Sequence, residues 1–214
     1  MPLEKNKFAN KEHYSFQDLM ELVALLRSPE GCPWDREQTH ESIRNNFVEE
    51  AFEVCEGIDR KDDALLCEEL GDVLLQVVFH TSIAFDENRF GMDEVVDGIC
   101  RKMIRRHPHI FHGESIADGD VQKSWDEIKR QEKGERSLAD TLARISMALP
   151  ALKRAEKYLE KGAPEIEISD KDPLLRQGEA LFRIVGQCAE EEIDPEQALN
   201  AYLKQTLKNC TNCE

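Results

Sequence analysis

DALLCEELGDVLLQVVFHTSIAFD, residues 63–86, carries apolar side chains at the spacing of an α-helix. Steps of four and three residues connect Leu66, Leu70, Val73, Val77, His80 and Ala84. Other apolar residues flank this line on nearly every side, so the helix needs cover all round. We therefore predict that it is the central and most buried helix of the fold. We expect His80 to be a hydrogen-bonded core or interface residue rather than a metal ligand.

The periodicity is helical along the rest of the chain, and no segment of alternating β-branched residues is long enough for a convincing strand. Capping residues and prolines place the other helices of the first half at about 16–27, 40–59, 92–107 and from 120 onward. Ser15 with Asp18, Thr39 and Asp62 are the predicted N-caps. The sequence therefore predicts an all-α helical bundle.

The composition excludes several classes of protein. With 40% hydrophobic and 34% charged residues the chain is typical of a soluble globular protein, and it has no bilayer-length apolar run. Its first residues, MPLEKNKFANKEHYS, lack the apolar core expected of a signal peptide. We expect a cytoplasmic protein without a membrane partner. A net charge of −16 disfavours duplex nucleic acid, because phosphate binding needs a basic surface. The seven scattered cysteines suit reduced thiols, and Cys210-Thr211-Asn212-Cys213 is only a weak indication of a metal or redox site.

Two acidic motifs fall on the predicted helices. Glu49-Glu50-Ala51-Phe52-Glu53 is followed, after fifteen residues, by Glu69-Leu70-Gly71-Asp72. Glu50 and Glu53 project from one side of their helix, as Glu69 and Asp72 do from theirs. Four carboxylates converging from two antiparallel helices would repel one another unless a cation lay between them. A hard ion such as Mg²⁺, with Mn²⁺ as a substitute, suits this oxygen-rich set.

A solvated acidic face is the alternative, because the chain contains 44 Asp and Glu residues. Glu50, however, lies close to Ile43, Phe47 and Val54 on the helical wheel, so the carboxylate interrupts an apolar stripe. A buried charge without a partner is costly, which favours the metal interpretation.

Basic and aromatic residues offer a complement to phosphate. Lys102 and Arg106 are four apart on one predicted helix face, with Arg105 beside them, although cations at a helix C-terminus also stabilise the helix dipole. Trp125 and Lys129 repeat this spacing on the next helix and offer a base-stacking face with a cation, or else a core Trp with a surface Lys. His107-Pro108-His109-Ile110-Phe111-His112 favours a turn over a transition-metal site.

The character of the chain changes after residue 135. Pro150, Pro173 and Pro195 each mark a helix start. A weak internal repeat aligns Arg176 and Glu179 with Glu69 and Asp72, and no EExxE motif precedes it. We predict a catalytic helical domain over 1–135 and a shortened, degenerate second copy over 136–214, which is structural.

The ordered motifs resemble the MazG family of nucleoside triphosphate pyrophosphohydrolases over roughly residues 15–133. The residues that carry the resemblance are GCPWD at 31–35, EExxE at 49–53, ExxD at 69–72, LLQVVFH at 74–80, RRHPHIF at 105–111 and WDEIK at 125–129. The resemblance implies an all-α fold, dimers or higher oligomers, Mg²⁺ dependence and hydrolysis of nucleoside triphosphates to the monophosphate and pyrophosphate. The chain departs from longer members in its shortened second copy.

Combining the residues with this resemblance, we expect Glu50, Glu53, Glu69 and Asp72 to bind Mg²⁺. Glu49 or Glu53 is the candidate general base for the attacking water. The expected substrate-binding residues are Asn46, Lys102, Arg105, Arg106, Trp125 and Lys129. The rival hypothesis is a non-catalytic helical module for nucleotide sensing or oligomerisation, which would not need a complete set of metal ligands.

Overall fold

The computed structural model describes residues 6–9, 11–113, 121–164, 166 and 172–211. Regular structure in these ranges is α-helical throughout, which confirms the predicted all-α class. The helices are α1 Asn6–Ala9, α2 Phe16–Arg27, α3 Pro33–Glu37, α4 Arg44–Arg60, α5 Asp63–Asp86, α6 Met92–Arg106, α7 Pro108–Phe111, α8 Val121–Lys133, α9 Leu138–Ala143, α10 Ala151–Glu160, α11 Pro173–Glu190 and α12 Pro195–Thr211. None of these helices combines the length and hydropathy required to cross a lipid bilayer.

Most predicted helix ends are confirmed by their caps. Ser15 and Asp18 form a capping box at the start of α2, and the Asp62 carboxylate accepts a hydrogen bond from the Leu65 amide at the start of α5. The start of α4 is different, because the helix begins at Arg44 and not at residue 40. Thr39 instead accepts a hydrogen bond from the Ser42 amide and closes a turn before the helix. The predicted start of a helix at residue 120 falls outside the described residues.

The core of the first half of the chain lies against the C-terminal part of α5. Val78, Phe79 and Ile83 pack there with buried residues of the preceding segments, Val23 and Ile43. The N-terminal part of α5 is different, since Leu70 is 51% exposed and Leu74 is 40% exposed. The predicted burial of α5 is therefore confirmed for Val78, Phe79, Ile83 and Ala84. In a single chain it is wrong for Leu70 and Leu74, and also for Phe85, which is 70% exposed.

Helices α4 and α5 form a tight hairpin. Lys61 adopts the left-handed conformation that ends α4, and Asp62 begins α5 directly after it. Gly57 is buried where the two helices approach, and a Cβ atom added to it would lie 2.9 Å from the Leu66 amide nitrogen. The absence of a side chain at Gly57 thus permits the close packing of the hairpin that carries both acidic motifs.

The chain divides into two compact units, residues 1–113 and 114–214. The sequence placed the boundary later, at 135/136. The earlier boundary has a physical reason, because α8 is bonded to the segments that follow it: Lys161 bonds the Asp126 carboxylate, and the Arg144 guanidinium donates to the Lys133 carbonyl at 2.6 Å. That residues 121–133 serve the catalytic domain remains a prediction.

The second unit contains the proline-initiated helices that the sequence predicts. Asp172 and Asp194 cap α11 and α12, and α10 packs against both of these helices. Val185 is fully buried, whereas Leu181 and Ile184 of the same helix are more than half exposed. Helix α11 therefore packs within the second unit through only some of its apolar residues.

Candidate metal centre

Three carboxylates from the α4–α5 hairpin converge on one point. Glu50 comes from α4, and Glu69 and Asp72 come from successive turns of α5. One oxygen atom of each lies within 4.8 Å of the others. Glu69 is only 7% exposed, and the other two are half-buried. The convergence of these three predicted ligands from the two motifs is therefore present in the structure.

Glu53, the fourth predicted ligand, lies beside this group. Its negative charge acts on both Glu50 and Glu69 and is one cause of the raised pKa of each. Glu53 therefore belongs to the cluster although its oxygen is not among the three that converge within 4.8 Å.

The surroundings of the cluster raise the pKa of two of its members, Glu50 and Glu69. Burial of the Glu50 carboxyl raises its pKa above the ordinary 4.5, and the charges of Asp72 and Glu53 raise it further. Burial is also the main cause of the raised pKa of Glu69, followed by the charge of Glu53. The metal-free cluster thus disfavours full ionisation, and a bound divalent cation would reverse this preference.

The donor set fits a hard divalent cation. Within the described residues the group that could hold a metal offers carboxylate oxygens only, with no Cys or His atom among them. Oxygen donors suit Mg²⁺ and Mn²⁺ better than the thiophilic metals. A solvated acidic face would leave such carboxylates exposed and apart, whereas Glu69 is buried against its neighbours.

The remaining predicted residues occupy defined places. Glu49 is exposed on α4, outside the group of converging oxygens, and Asn46 is half-buried one turn earlier. On α6, Arg106 is 8% exposed, Lys102 is half-buried and Arg105 is exposed. Their contacts with a substrate remain predictions.

Trp125 and Lys129 lie on α8 in the second unit. The ammonium nitrogen of Lys129 is 5.1 Å from the centre of the Trp125 ring, which confirms that the two side chains share a helix face. The geometry is that of a cation–π contact, which would leave the ring available to a further planar group on its other side. Their role in base or sugar binding remains a prediction.

His80 is a hydrogen-bonded core histidine, as expected, but its partner was not found from the sequence. Its Nδ1 lies 2.7 Å from Nδ1 of His40, and the planes of the two rings differ by only 6°. Arg89 contacts Nε2 of His40. Because Arg89 can only donate, His40 accepts at Nε2 and donates from Nδ1, so His80 carries its proton on Nε2. No periodicity signals a pair forty residues apart in sequence.

The other histidine run is structural. His107 ends α6, its Nδ1 lies 2.6 Å from the Met103 carbonyl, and Pro108 opens the short helix α7. No histidine joins a metal-binding group in the part of the chain that the structure describes.

Comparison with known proteins identifies relatives of this hairpin. The family model for the MazG nucleotide pyrophosphohydrolase domain matches residues 38–111. This range contains both acidic motifs, α6 and the histidine run. The match therefore covers the three converging carboxylates and the basic residues of α6.

Several curated proteins are similar over longer ranges. The nucleoside triphosphate pyrophosphohydrolase/pyrophosphatase MazG of Thermotoga maritima is 39% identical over 207 residues, which cover 86% of this chain and 79% of that protein. The nucleoside triphosphate pyrophosphohydrolase of Escherichia coli K12 is 40% identical over 147 residues, 68% of this chain and 56% of its own length. The uncharacterized protein YabN of Bacillus subtilis is 43% identical over 159 residues, only 31% of its length.

Proposed function

The chain is an enzyme of the MazG nucleotide pyrophosphohydrolase family, and we propose that it hydrolyses nucleoside triphosphates to the monophosphate and pyrophosphate with Mg²⁺. The observation that carries the proposal is the convergence of Glu50, Glu69 and Asp72 to within 4.8 Å, with the charge of Glu53 acting on Glu50 and Glu69. These four residues would hold the ion. When bound, Mg²⁺ would supply charge neutralisation at the phosphates and make the attacking water more acidic.

The two candidates for the general base differ in their surroundings. Glu53 is half-buried and close enough to Glu50 and Glu69 for its charge to raise the pKa of both, whereas Glu49 is exposed and outside the converging group. A base must reach the water that attacks phosphorus, so a residue beside the ligands is favoured over one that faces solvent. We infer that Glu53 takes the proton.

The proposed reaction balances as one hydrolysis. The water oxygen forms a bond to the α-phosphorus, the bond from that phosphorus to the oxygen bridging to the β-phosphorus breaks, and pyrophosphate leaves. One water proton passes to Glu53 and is later released to solvent. Lys102 and Arg106 would offset charge on the leaving pyrophosphate, which is the role that suits a pair of cations one helical turn apart.

Water labelled with ¹⁸O tests the site of attack. With the enzyme, Mg²⁺ and a panel of ribo- and deoxyribonucleoside triphosphates, we expect one ¹⁸O atom in the monophosphate and none in pyrophosphate. Label in pyrophosphate, or release of inorganic phosphate, would contradict attack at the α-phosphorus. EDTA should abolish turnover, and Mn²⁺ should restore part of it.

A matched pair of variants tests the metal ligands. Asp72→Asn removes a charge from the cluster, and Asp59→Asn removes one from an exposed position of α4. We expect turnover to fall only in the first variant. A chain that binds nucleotide with Mg²⁺ but never releases pyrophosphate would support the alternative of a nucleotide sensor.

A further inference from the structure

The second unit contains a cavity that none of the four acidic residues lines. Its volume is about 830 Å³, and its walls come from α8, α9, α10 and the segments that connect them. Binding sites for small molecules fall in the range of roughly 300–1,000 Å³. The cavity is therefore large enough for a nucleotide-sized ligand.

The charge of this cavity is opposite to that of the chain. Seven of its lining residues are Lys or Arg and three are Asp or Glu, whereas the whole chain has 28 basic and 44 acidic residues. Three of the cations lie near carboxylates that also line the cavity: Lys161 pairs with Asp126, Arg144 lies near Glu135, and Lys157 lies near Glu160. A concentration of positive charge in a concave surface attracts anions, even on an acidic protein.

Three cations form the part of the wall that has no ion pair within the described chain: Arg130, Lys133 and Arg136. They follow one another at the end of α8 and just after it. The Glu135 carboxylate also lines the cavity, but it accepts a hydrogen bond from the Thr141 hydroxyl and lies 3.7 Å from the Arg144 guanidinium. A bound anion would relieve the mutual repulsion of the three cations. A phosphate or diphosphate group provides several acceptor oxygens for such a set.

The lining also contains apolar residues. Leu138, Ile145 and Leu149 contribute to the wall, as does Trp125, which has Lys129 over its ring. A bare inorganic ion would not use this surface. The combination of an apolar wall, an indole ring and clustered cations suits a ligand with a phosphate group and a planar or apolar part.

We propose that this cavity binds a diphosphate-bearing small molecule, of the nucleotide class, through Arg130, Lys133 and Arg136 and without a divalent cation. Trp125 and Lys129 are also expected to contact substrate, so the proposal rests on the three cations beyond them. The proposal adds a metal-independent anion site to the metal-dependent hydrolysis proposed above. Binding to this site can be measured in EDTA, which removes the divalent cation that the proposed hydrolysis requires.

Trp125 is a built-in reporter. The chain has two tryptophans, and the other, Trp34, is 62% exposed in the first unit. In the full-length Trp34→Phe variant the emission therefore comes from Trp125 alone. We expect inorganic pyrophosphate and ADP, each titrated in EDTA, to change this emission saturably, with one site per chain by calorimetry. Tighter binding of ADP assigns the nucleotide as ligand, and equal binding assigns the pyrophosphate group alone.

Two double variants decide the location. Lys133→Ala/Arg136→Ala should weaken binding at least about tenfold, because two charge-assisted contacts are lost. Lys204→Ala/Lys208→Ala removes the same charge from exposed positions of α12 outside the cavity and should change affinity less than about twofold. Absence of saturable binding, or equal weakening in both pairs, would overturn the proposal. The proposal would also be overturned if Lys102→Ala lost binding while Lys133→Ala/Arg136→Ala bound fully, since the anion would then bind at α6.

Discussion

Gly57→Ala tests whether the close packing of the α4–α5 hairpin sets the geometry of the carboxylates. The added methyl group would lie 2.9 Å from the Leu66 amide nitrogen and 3.0 Å from its Cα. Both contacts are to backbone, so no side-chain rotation relieves them. An ordinary contact begins near 3.4 Å, and the helices must therefore separate by about half an ångström.

The expected free-energy change is a balance of two effects. Overpacking of this kind costs roughly 1–3 kcal/mol. Replacement of glycine by alanine within a helix contributes about 1 kcal/mol of stability. The net expectation is a destabilisation of about 0–2 kcal/mol. Gly98→Ala is the matched control, because Gly98 lies within α6, is exposed and has no heavy atom within 4 Å of an added Cβ. It should stabilise the protein by about 0.5–1 kcal/mol.

Urea unfolding followed by circular dichroism in EDTA, at one fixed protein concentration, measures both values. Mg²⁺ affinity is then measured by calorimetry. We expect Gly57→Ala to weaken Mg²⁺ binding, because Glu53 lies one turn from the displaced position and faces α5. The reasoning is refuted if Gly57→Ala stabilises the protein as much as Gly98→Ala and leaves Mg²⁺ affinity unchanged.

Three further predictions follow from the same hairpin. Glu53→Gln and Asp72→Asn should each lower turnover more than about tenfold with helicity unchanged, and rates within about threefold of wild type would contradict their roles. Mg²⁺ affinity should begin to fall above pH 4.5 on acidification, because protons compete at Glu50 and Glu69, whose pKa values are raised; in EDTA the same protonation should stabilise the fold. Sedimentation should show an oligomer, and Leu70→Glu/Leu74→Glu, at exposed apolar positions, should yield a monomer near 24.6 kDa.

Local sequence signals predicted most of the fold. The bounds of α2 and α5 follow from Ser15, Asp18 and Asp62, whose side chains bond the first turn of each helix. The predicted start of α4 was wrong because Thr39 and Ser42 bond to each other: the Ser42 amide donates to the Thr39 hydroxyl, and the Ser42 hydroxyl donates to the Thr39 carbonyl. These bonds form a turn that sequence periodicity cannot distinguish from a helix. The exposure of Leu70 could not be predicted either. An apolar pattern indicates that a side chain needs to be buried, but it does not indicate whether the same chain or a second copy buries it.

Part of the candidate site could be predicted from the sequence, and part could not. Glu50, Glu69 and Asp72 were predictable because two motifs at helical spacing on adjacent helices have few ways to meet. The His40–His80 contact and the cavity of the second unit were not, because both depend on tertiary packing of segments that carry no shared pattern. The spacing of residues in the sequence determines which side chains share one face of a helix. Tertiary packing determines which residues of other segments contact that face.

All four acidic residues of the centre lie on two successive helices joined only by Lys61 and Asp62. One inserted residue in α5 ahead of Glu69 would turn that residue and Asp72 about 100° away from Glu50. The four acidic residues therefore converge only while the number of residues within the hairpin keeps this helical register, and a one-residue insertion or deletion in a helix between the two motifs would separate the set in a single step.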